Sequence, residues 1–291
     1  MNSTTGILFA LGALVGWGFG DFSIQRTTRA IGRVRALFYI GITGTIVLLP
    51  FVWDEIPTAL SDVAHWPLML FLSLLILITA LLNFKALKLG KLSVIMPIEG
   101  IELLVALTLT QTIGHERYAL PAYGLMVVVI IGIALISVRS FNKLKRTKWE
   151  KGVAYALAGS IGLGFCDFTV GFASRETSPL FAIWLTNAAC MVGAAAIMLK
   201  RGSFAKVHSD FSRHFYVIMS QCFFDNLAWL SFAYSATLIP IGIASAVSEG
   251  YLALGALLGV AVNHERLRRH QYVGIVLTLA GVMALGYVTG L

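Results

Sequence analysis

At 291 residues, 58% hydrophobic and only 12% charged, with a mean hydropathy of +0.83, the chain is far too apolar for a soluble domain of its length. The pI near 9.5 and formal charge of +8 invite a nucleic-acid reading, but the placement of the charges argues against it, as shown below. Runs of about 20 apolar residues, the length that crosses a hydrocarbon core, predict ten spans, at roughly 6–25, 35–53, 66–84, 92–112, 119–139, 151–171, 179–199, 214–236, 240–262 and 271–290. The expected fold class is an all-α membrane protein. The longest connections, 54–65, 140–150 and 200–213, are too short to fold alone, so any chemistry belongs to the helix bundle.

Met1–Thr5 lacks a basic region and Gly6–Phe22 lacks a small-residue cleavage pattern, which predicts a retained first span and not a signal peptide. Cys166, Cys190 and Cys222 all fall within spans and are expected to pack as small residues, with neither disulfide nor metal. Of the 22 Lys and Arg residues, all but Arg117 and Arg175 fall in the odd-numbered loops. Under the positive-inside rule those loops are cytoplasmic and both termini external. A basic cytoplasmic face suits anionic lipid headgroups, so membrane lipid, and not nucleic acid, is the expected macroscopic partner.

Six carboxyl residues, Asp21, Glu99, Glu102, Asp167, Asp225 and Glu249, lie within or at the edges of these apolar runs. A carboxylate at a bilayer centre costs roughly 2.5–3.5 kcal/mol on insertion scales, so six of them predict an interior cavity and a solute pathway. Four match in pairs. Gly16-Trp17-Gly18-Phe19-Gly20-Asp21-Phe22-Ser23 aligns with Gly162-Leu163-Gly164-Phe165-Cys166-Asp167-Phe168-Thr169, and Arg29 falls on Arg175. Glu99-Gly100 aligns with Glu249-Gly250, and His115-Glu116-Arg117 with His264-Glu265-Arg266. Each copy holds five spans, an odd number, so the second must enter the membrane from the opposite side. The acidic loop Asp54, Glu55, Asp62 corresponds to the basic one at 200–213, as oppositely oriented copies require. The expected organisation is a first repeat over 1–139, a cytoplasmic linker over 140–150 and a second repeat over 151–291. With both repeats fused in one chain, a monomer is expected to suffice.

With these features the chain resembles the drug/metabolite transporter superfamily, and within it the ten-span EamA-type transporters. The resemblance rests on the Gly-rich first span of each repeat, on Ala86-Leu87, Gly90, Ser93 and Pro97, on Glu116 and Glu265, and on Gln271-Tyr272-Val273-Gly274 with Gly281. It departs from the family's pattern at His115, where Gly is usual, and at Pro240, which stands at the position of Gly90. The resemblance implies a plasma (bacterial inner) membrane transporter of amino acids or small metabolites, and no enzyme.

Glu99 and Glu249, about 12–15 Å into their spans at 1.5 Å per residue, are the first choice for binding substrate or proton. Ser245 lies one turn before Glu249, and Glu102 three residues after Glu99. Asp225 and Glu102 have only Leu75 and Leu252 as counterparts, an asymmetry that a chiral or elongated solute needs; Asn226, Gln221 and Trp229 flank Asp225. Asp21 and Asp167 are expected near span ends, solvated or paired with Arg26, Arg29 and Arg175 as gates. Gly12, Gly16 and Gly20, with Ala158, Gly162 and Cys166, form small-residue stripes that let helices approach closely. The His-Glu-Arg pairs are no metal motif; Glu116 and Glu265 are expected to stabilise the next helix's N-terminus. With no Lys or Arg deep in a span, a cationic or zwitterionic solute and a proton are the expected partners, without a cofactor. A lipid flippase or scramblase and a non-transporting assembly subunit are the other readings that this composition allows.

Overall fold

The computed structural model describes residues 3–89, 95, 98–137, 152–263 and 267–290, and among these the chain forms helices and turns with no strand. The linker 140–150, Gly90, Lys91, Ser93, Pro97 and the His264-Glu265-Arg266 triplet lie outside the described residues. In chain order the helices are α1 (Ser3–Ile31), α2 (Arg33–Val52), α3 (Glu55–Ser61), α4 (Trp66–Leu89), α5 (Ile101–Thr112), α6 (Leu120–Ser137), α7 (Val153–Glu176), α8 (Pro179–Lys200), α9 (Val207–Leu238), α10 (Ile241–Ser248), α11 (Tyr251–Asn263) and α12 (Arg269–Gly290).

Among the described residues seven stretches are long and apolar enough to cross a membrane: α1, α2, Val63–Leu89, α7, α8, Ile241–Leu258 and Arg269–Val288. The expected spans 92–112, 119–139 and 214–236 are not among these seven, and the first two extend beyond the described residues. Ile101–Thr112 and Leu120–Ile136 are apolar but shorter. The 32-residue α9 has its apolar run diluted by Gln221, Asp225, Asn226, Ser231 and Ser235, of which Gln221, Ser231 and Ser235 are buried. Large apolar side chains such as Leu8, Ile46, Phe71, Leu74, Val192, Phe223 and Met283 point outward, as a lipid-facing surface requires.

The packing repeats itself when the halves are exchanged. α1 packs on α9 as α7 packs on α4, and α5 lies on α7 as α11 lies on α1, while α2–α8 and α6–α12 pair across the two-fold relation. The glycines set how close these helices come. A Cβ on Gly16 would stand 2.7 Å from the Ala228 Cβ and 2.9 Å from its backbone, and one on Gly162 would stand 2.5 Å from Thr79 Oγ1. At Gly12 the nearest atom, Ser231 Oγ, is at 3.1 Å, and at Gly20 the nearest is 3.6 Å away. The stripe therefore has one tight point with looser contacts on either side.

Two expectations about helix ends are corrected. Asp21 and Asp167 stand well inside α1 and α7, which continue to Ile31 and Glu176. The helices outlast their apolar runs because their hydroxyls bond back to their own backbone while packed in the bundle: Thr27 Oγ1 donates to Ser23 O at 2.9 Å, Thr28 Oγ1 to Gln25 O at 3.0 Å and Thr169 Oγ1 to Phe165 O at 2.7 Å. Conversely, helix is interrupted at both repeat-related Glu-Gly pairs. Gly100 is the N-cap of α5, and Glu249-Gly250 separates α10 from α11. At the second break the backbone tightens, with Gly250 N donating to Val247 O and Leu252 N to Glu249 O, both at 3.2 Å.

The packing predicts a graded response to added methyl groups. Gly16→Ala is expected to cost about 1–3 kcal/mol through overpacking against the Ala228 backbone, Gly12→Ala less, and Gly20→Ala close to nothing. Thermal unfolding of the purified variants in detergent checks this; equal effects at Gly16 and Gly20 would contradict the α1–α9 contact described here.

Candidate functional site

A cavity of about 80 Å³ lies inside the bundle, walled by α1, α2, α4, α8 and α9 and closed by Glu102, Leu163 and Tyr251. Three carboxyl residues line it: Asp21 from α1, Glu102 from the first turn of α5, and Asp225 from α9. Asn83, Thr186 and Asn187 add neutral polar groups, and among the described residues no Lys or Arg lines the cavity. Asp21 and Asp225 come together because α1 and α9 cross at the glycine stripe, where Gly20 faces the backbone of Phe224 and Asp225.

Trp17, Trp229 and Tyr251 give the cavity an aromatic wall. Trp17 meets Trp229 edge-on with ring centroids 5.1 Å apart and Tyr251 at 6.0 Å. A cation entering here would find both carboxylate oxygens and ring faces. On the α2 side, Gly44 makes room for two amides: a Cβ there would stand 2.2 Å from Asn226 Oδ1 and 2.3 Å from Asn187 Cγ. Asn226 Nδ2 donates to Cys222 O at 2.9 Å and Asn187 Nδ2 to Ile183 O at 2.9 Å, so both side chains are held by their own helices.

Neither Glu99 nor Glu249 lines this cavity. Both stand behind its wall, 1% and 2% exposed, at the two helix breaks. Glu99 Oε1 accepts from Asn83 Nδ2 at 3.2 Å, which ties it to a cavity-lining side chain. Ser160 Oγ donates to the backbone carbonyls of Ile98 and Glu99 at 2.7 and 3.0 Å and holds the break from α7. Asp167, 1% exposed, and Ser245 are neighbours on the opposite side of the two-fold relation. Glu99 Oε2, Asp167 Oδ1 and Glu249 Oε2 have no hydrogen-bond partner among the described residues. Glu102 lies within electrostatic reach of Glu249, Asp167, Glu99 and Asp21, and so at the centre of the cluster.

The structure thus brings Asp21, Glu102, Asp225 and Trp229 to one cavity, with Asn226 beside it. It sets Glu99, Asp167, Ser245 and Glu249 in the surrounding layer, and Gly12, Gly16, Gly20 and Gly162 at helix crossings. Trp17, Asn83, Thr186, Asn187 and Tyr251 were not singled out from the sequence. Trp17 lies inside the glycine stripe and Tyr251 directly follows Glu249-Gly250, so proximity to a motif was a usable signal for these two. Nothing local marks Asn83, Thr186 or Asn187.

A second polar centre joins the halves of the chain. Glu116 does not serve the next helix, as expected from sequence, but caps α10 in the other repeat: the N–H groups of Ile241 and Gly242 donate to its two oxygens at 2.7 and 3.1 Å. Arg175 Nη1 pairs with Glu116 at 3.0 Å, and Arg175 also donates to Ala236 O at 2.7 Å and Ile239 O at 2.9 Å. Tyr118 donates to Glu116 at 2.8 Å and meets Thr110 at 2.7 Å. Arg175 therefore pairs with Glu116 and not with Asp167. The chain is turned into this geometry at His115, whose φ of 51° is a left-handed value that glycine adopts freely.

A family model described as the EamA-like transporter family matches residues 4–138 and 150–287. The chain belongs to the EamA-like transporter family. It is accordingly a multi-pass membrane transporter of the drug/metabolite superfamily, built from two EamA repeats. No curated protein matches the chain. Among solved structures, one titled "Crystal structure of protein" superposes with a TM-score of 0.71 over 97% of each chain at 14% identity, which shows the shared fold. In this EamA-like transporter the glycine usual before the loop Glu has an evident purpose: the position has positive φ, and His115 adopts it at some strain.

The latch predicts strong coupling between residues of opposite repeats. Removing the carboxylate in Glu116→Ala leaves the Ile241 and Gly242 N–H groups without their acceptor and Arg175 Nη1 without its carboxylate, at about 1.5–3 kcal/mol for a charged hydrogen bond. A double-mutant cycle of Glu116→Gln and Arg175→Gln is expected to give a coupling of about 0.5–3 kcal/mol, read by thermal unfolding in detergent. Strictly additive effects would mean that the pair does not join the repeats.

Proposed function

We propose that this chain is a secondary transporter that moves small amine-bearing metabolites or amino acids across the plasma membrane. The observation that supports this reading best is the composition of the cavity wall among the described residues: three carboxyl residues, three indole or phenol rings and no cation. A dianion entering such a space would meet like charge in a low-dielectric setting, whereas an ammonium group would neutralise it. Asp21, Glu102 and Asp225 are the residues proposed to meet the amine, with Trp17, Trp229 and Tyr251 covering its alkyl part. Asn187 and Thr186 offer hydrogen-bonding groups for a polar substituent.

Proton coupling follows from the same crowding. Two carboxylates brought together out of water repel, so a proton or a cation must share the space with them. Solute entry would then release protons from Asp21, Glu102 and Asp225, with Glu99 and Glu249 as the reserve behind the wall. Glu99 connects to the cavity through Asn83. Ten spans in two oppositely inserted repeats would rock against each other about this centre, with the basic end in the cytoplasm and both termini outside. The Glu116–Arg175 latch would hold one closed state.

A metabolite-wide uptake and efflux screen in vesicles, followed by variants, tests the proposal. Asp21→Asn, Glu102→Gln and Asp225→Asn are each expected to lower transport of the amine found in the screen at least about tenfold, a loss of about 1.4 kcal/mol of interaction, with insertion and thermal stability retained. Glu99→Gln and Glu249→Gln are expected to slow transport with a smaller effect on solute affinity. Near-normal transport by the three cavity variants, or selective transport of a sugar phosphate, would overturn the assignment.

A further inference from the structure

Beyond the α1, α2 and α4 segments that wall the acidic cavity lies a second cavity of opposite character. It has a volume of about 380 Å³ and is lined by Arg33 and Arg35 after the α1–α2 turn, Lys85 and Lys88 at the end of α4, and Arg201 and Lys206 in the α8–α9 connection. Six cations thus converge on one concavity. Among the described residues Asp210 is the only carboxylate that pairs with any of them, bonding Arg35 at 2.8 Å. The excess of positive charge is therefore built in, and each added cation within a Debye length of about 10 Å raises the repulsion.

Several of these cations are held in place by neutral partners that leave their charge intact. Arg33 Nη1 donates to Leu81 O at 2.7 Å, Arg35 Nε donates to Ile31 O at 2.8 Å, and Lys85 lies 3.7 Å above the Tyr155 ring while bonding the Tyr155 hydroxyl. Gly32, with φ of 91°, makes the sharp turn that puts Arg33 and Arg35 at the cavity rim. Arg33 from the first repeat and Arg201 from the second stand close enough to repel each other. The six side chains line one open concavity that takes residues from both repeats.

We propose that this cavity binds a phosphate-bearing anion, and that the anion clamps the two repeats together at this end by bridging Arg33 and Lys88 to Arg201 and Lys206. A phosphate oxygen set accepts from several guanidinium and ammonium donors at once, and because those donors come from both repeats, their neutralisation favours a conformer that holds them together. The headgroup of an anionic phospholipid and a free phosphate share this chemistry. Occupancy is independent of the solute proposed for the acidic cavity, so neither assignment depends on the other.

The experiment uses the full-length purified protein in uncharged detergent, with inorganic phosphate replacing chloride at constant ionic strength, and then with phosphatidylcholine vesicles with or without phosphatidylglycerol. The variants are the Arg33→Gln/Arg201→Gln pair and, because Arg33 is half-buried and bonds the α4 backbone, the exposed single change Lys88→Gln. If free phosphate is the occupant, phosphate raises the Tm of the wild type by about 2–4 °C, and the variants lose at least half of that shift. If a lipid headgroup is the occupant, phosphate has little effect, phosphatidylglycerol produces the shift, and the same variants lose it. No shift from either source, or an equal shift in wild type and variants, overturns the site. Because the readout is stability and not transport, this result and the fate of the amine-transport reading remain distinguishable.

Discussion

The arrangement of this molecule depends on keeping carboxyl groups inside an apolar bundle. An unpartnered charge there is far costlier than any single packing contact is favourable, so the helices are organised around a shared polar centre. Asp21, Glu102 and Asp225 face a cavity, while Glu99, Asp167 and Glu249 lie behind it, each almost fully buried. Bringing so many acids together requires close helix crossings, and Gly16 against Ala228 and Gly162 against Thr79 provide them. The helix breaks at Glu99-Gly100 and Glu249-Gly250 add irregular backbone at the same centre. Such breaks are tolerated at membrane depth where they are buried in protein or border a cavity.

A second constraint is the need to hold the two repeats together. Pairing of α1 with α9 and of α7 with α4 places most interhelical packing between repeats. Glu116 adds a polar junction between the repeats, offering its oxygens to α10 N–H groups, to Arg175 and to Tyr118 at once. A carboxylate at a helix N-terminus is favourable in its own right. The opposite end carries the six-cation cavity, so the molecule has an acidic centre between a carboxylate-guanidinium junction and a basic pocket.

Much of this was legible in the sequence, for definite reasons. Apolar runs mark helices in a bilayer because backbone groups must be satisfied within the segment, and the paired motifs around Asp21 and Asp167 revealed the repeat. The helix ends around Asp21 were not legible, because Ser23, Thr27 and Thr28 look like a polar terminus yet bond their own backbone inside the bundle. Glu102 and Asp225 stood out as unmatched acids, and both line the cavity. Glu99 and Glu249 stood out as matched ones and lie behind it, a distinction set by helix rotation and tertiary packing. The partner of Glu116 lies 125 positions away at Ile241, and no local pattern encodes such a contact.

The central claim is that an amine and protons share one set of carboxyl groups in the cavity. Its most direct measurement is proton release on solute binding, followed in weakly buffered solution with the purified protein across about pH 5–9. The account predicts net proton release when the transported amine binds, diminishing at the alkaline end and reduced in Asp225→Asn. Tight amine binding with no proton release anywhere in that range, and the same binding in Asp225→Asn, would contradict it.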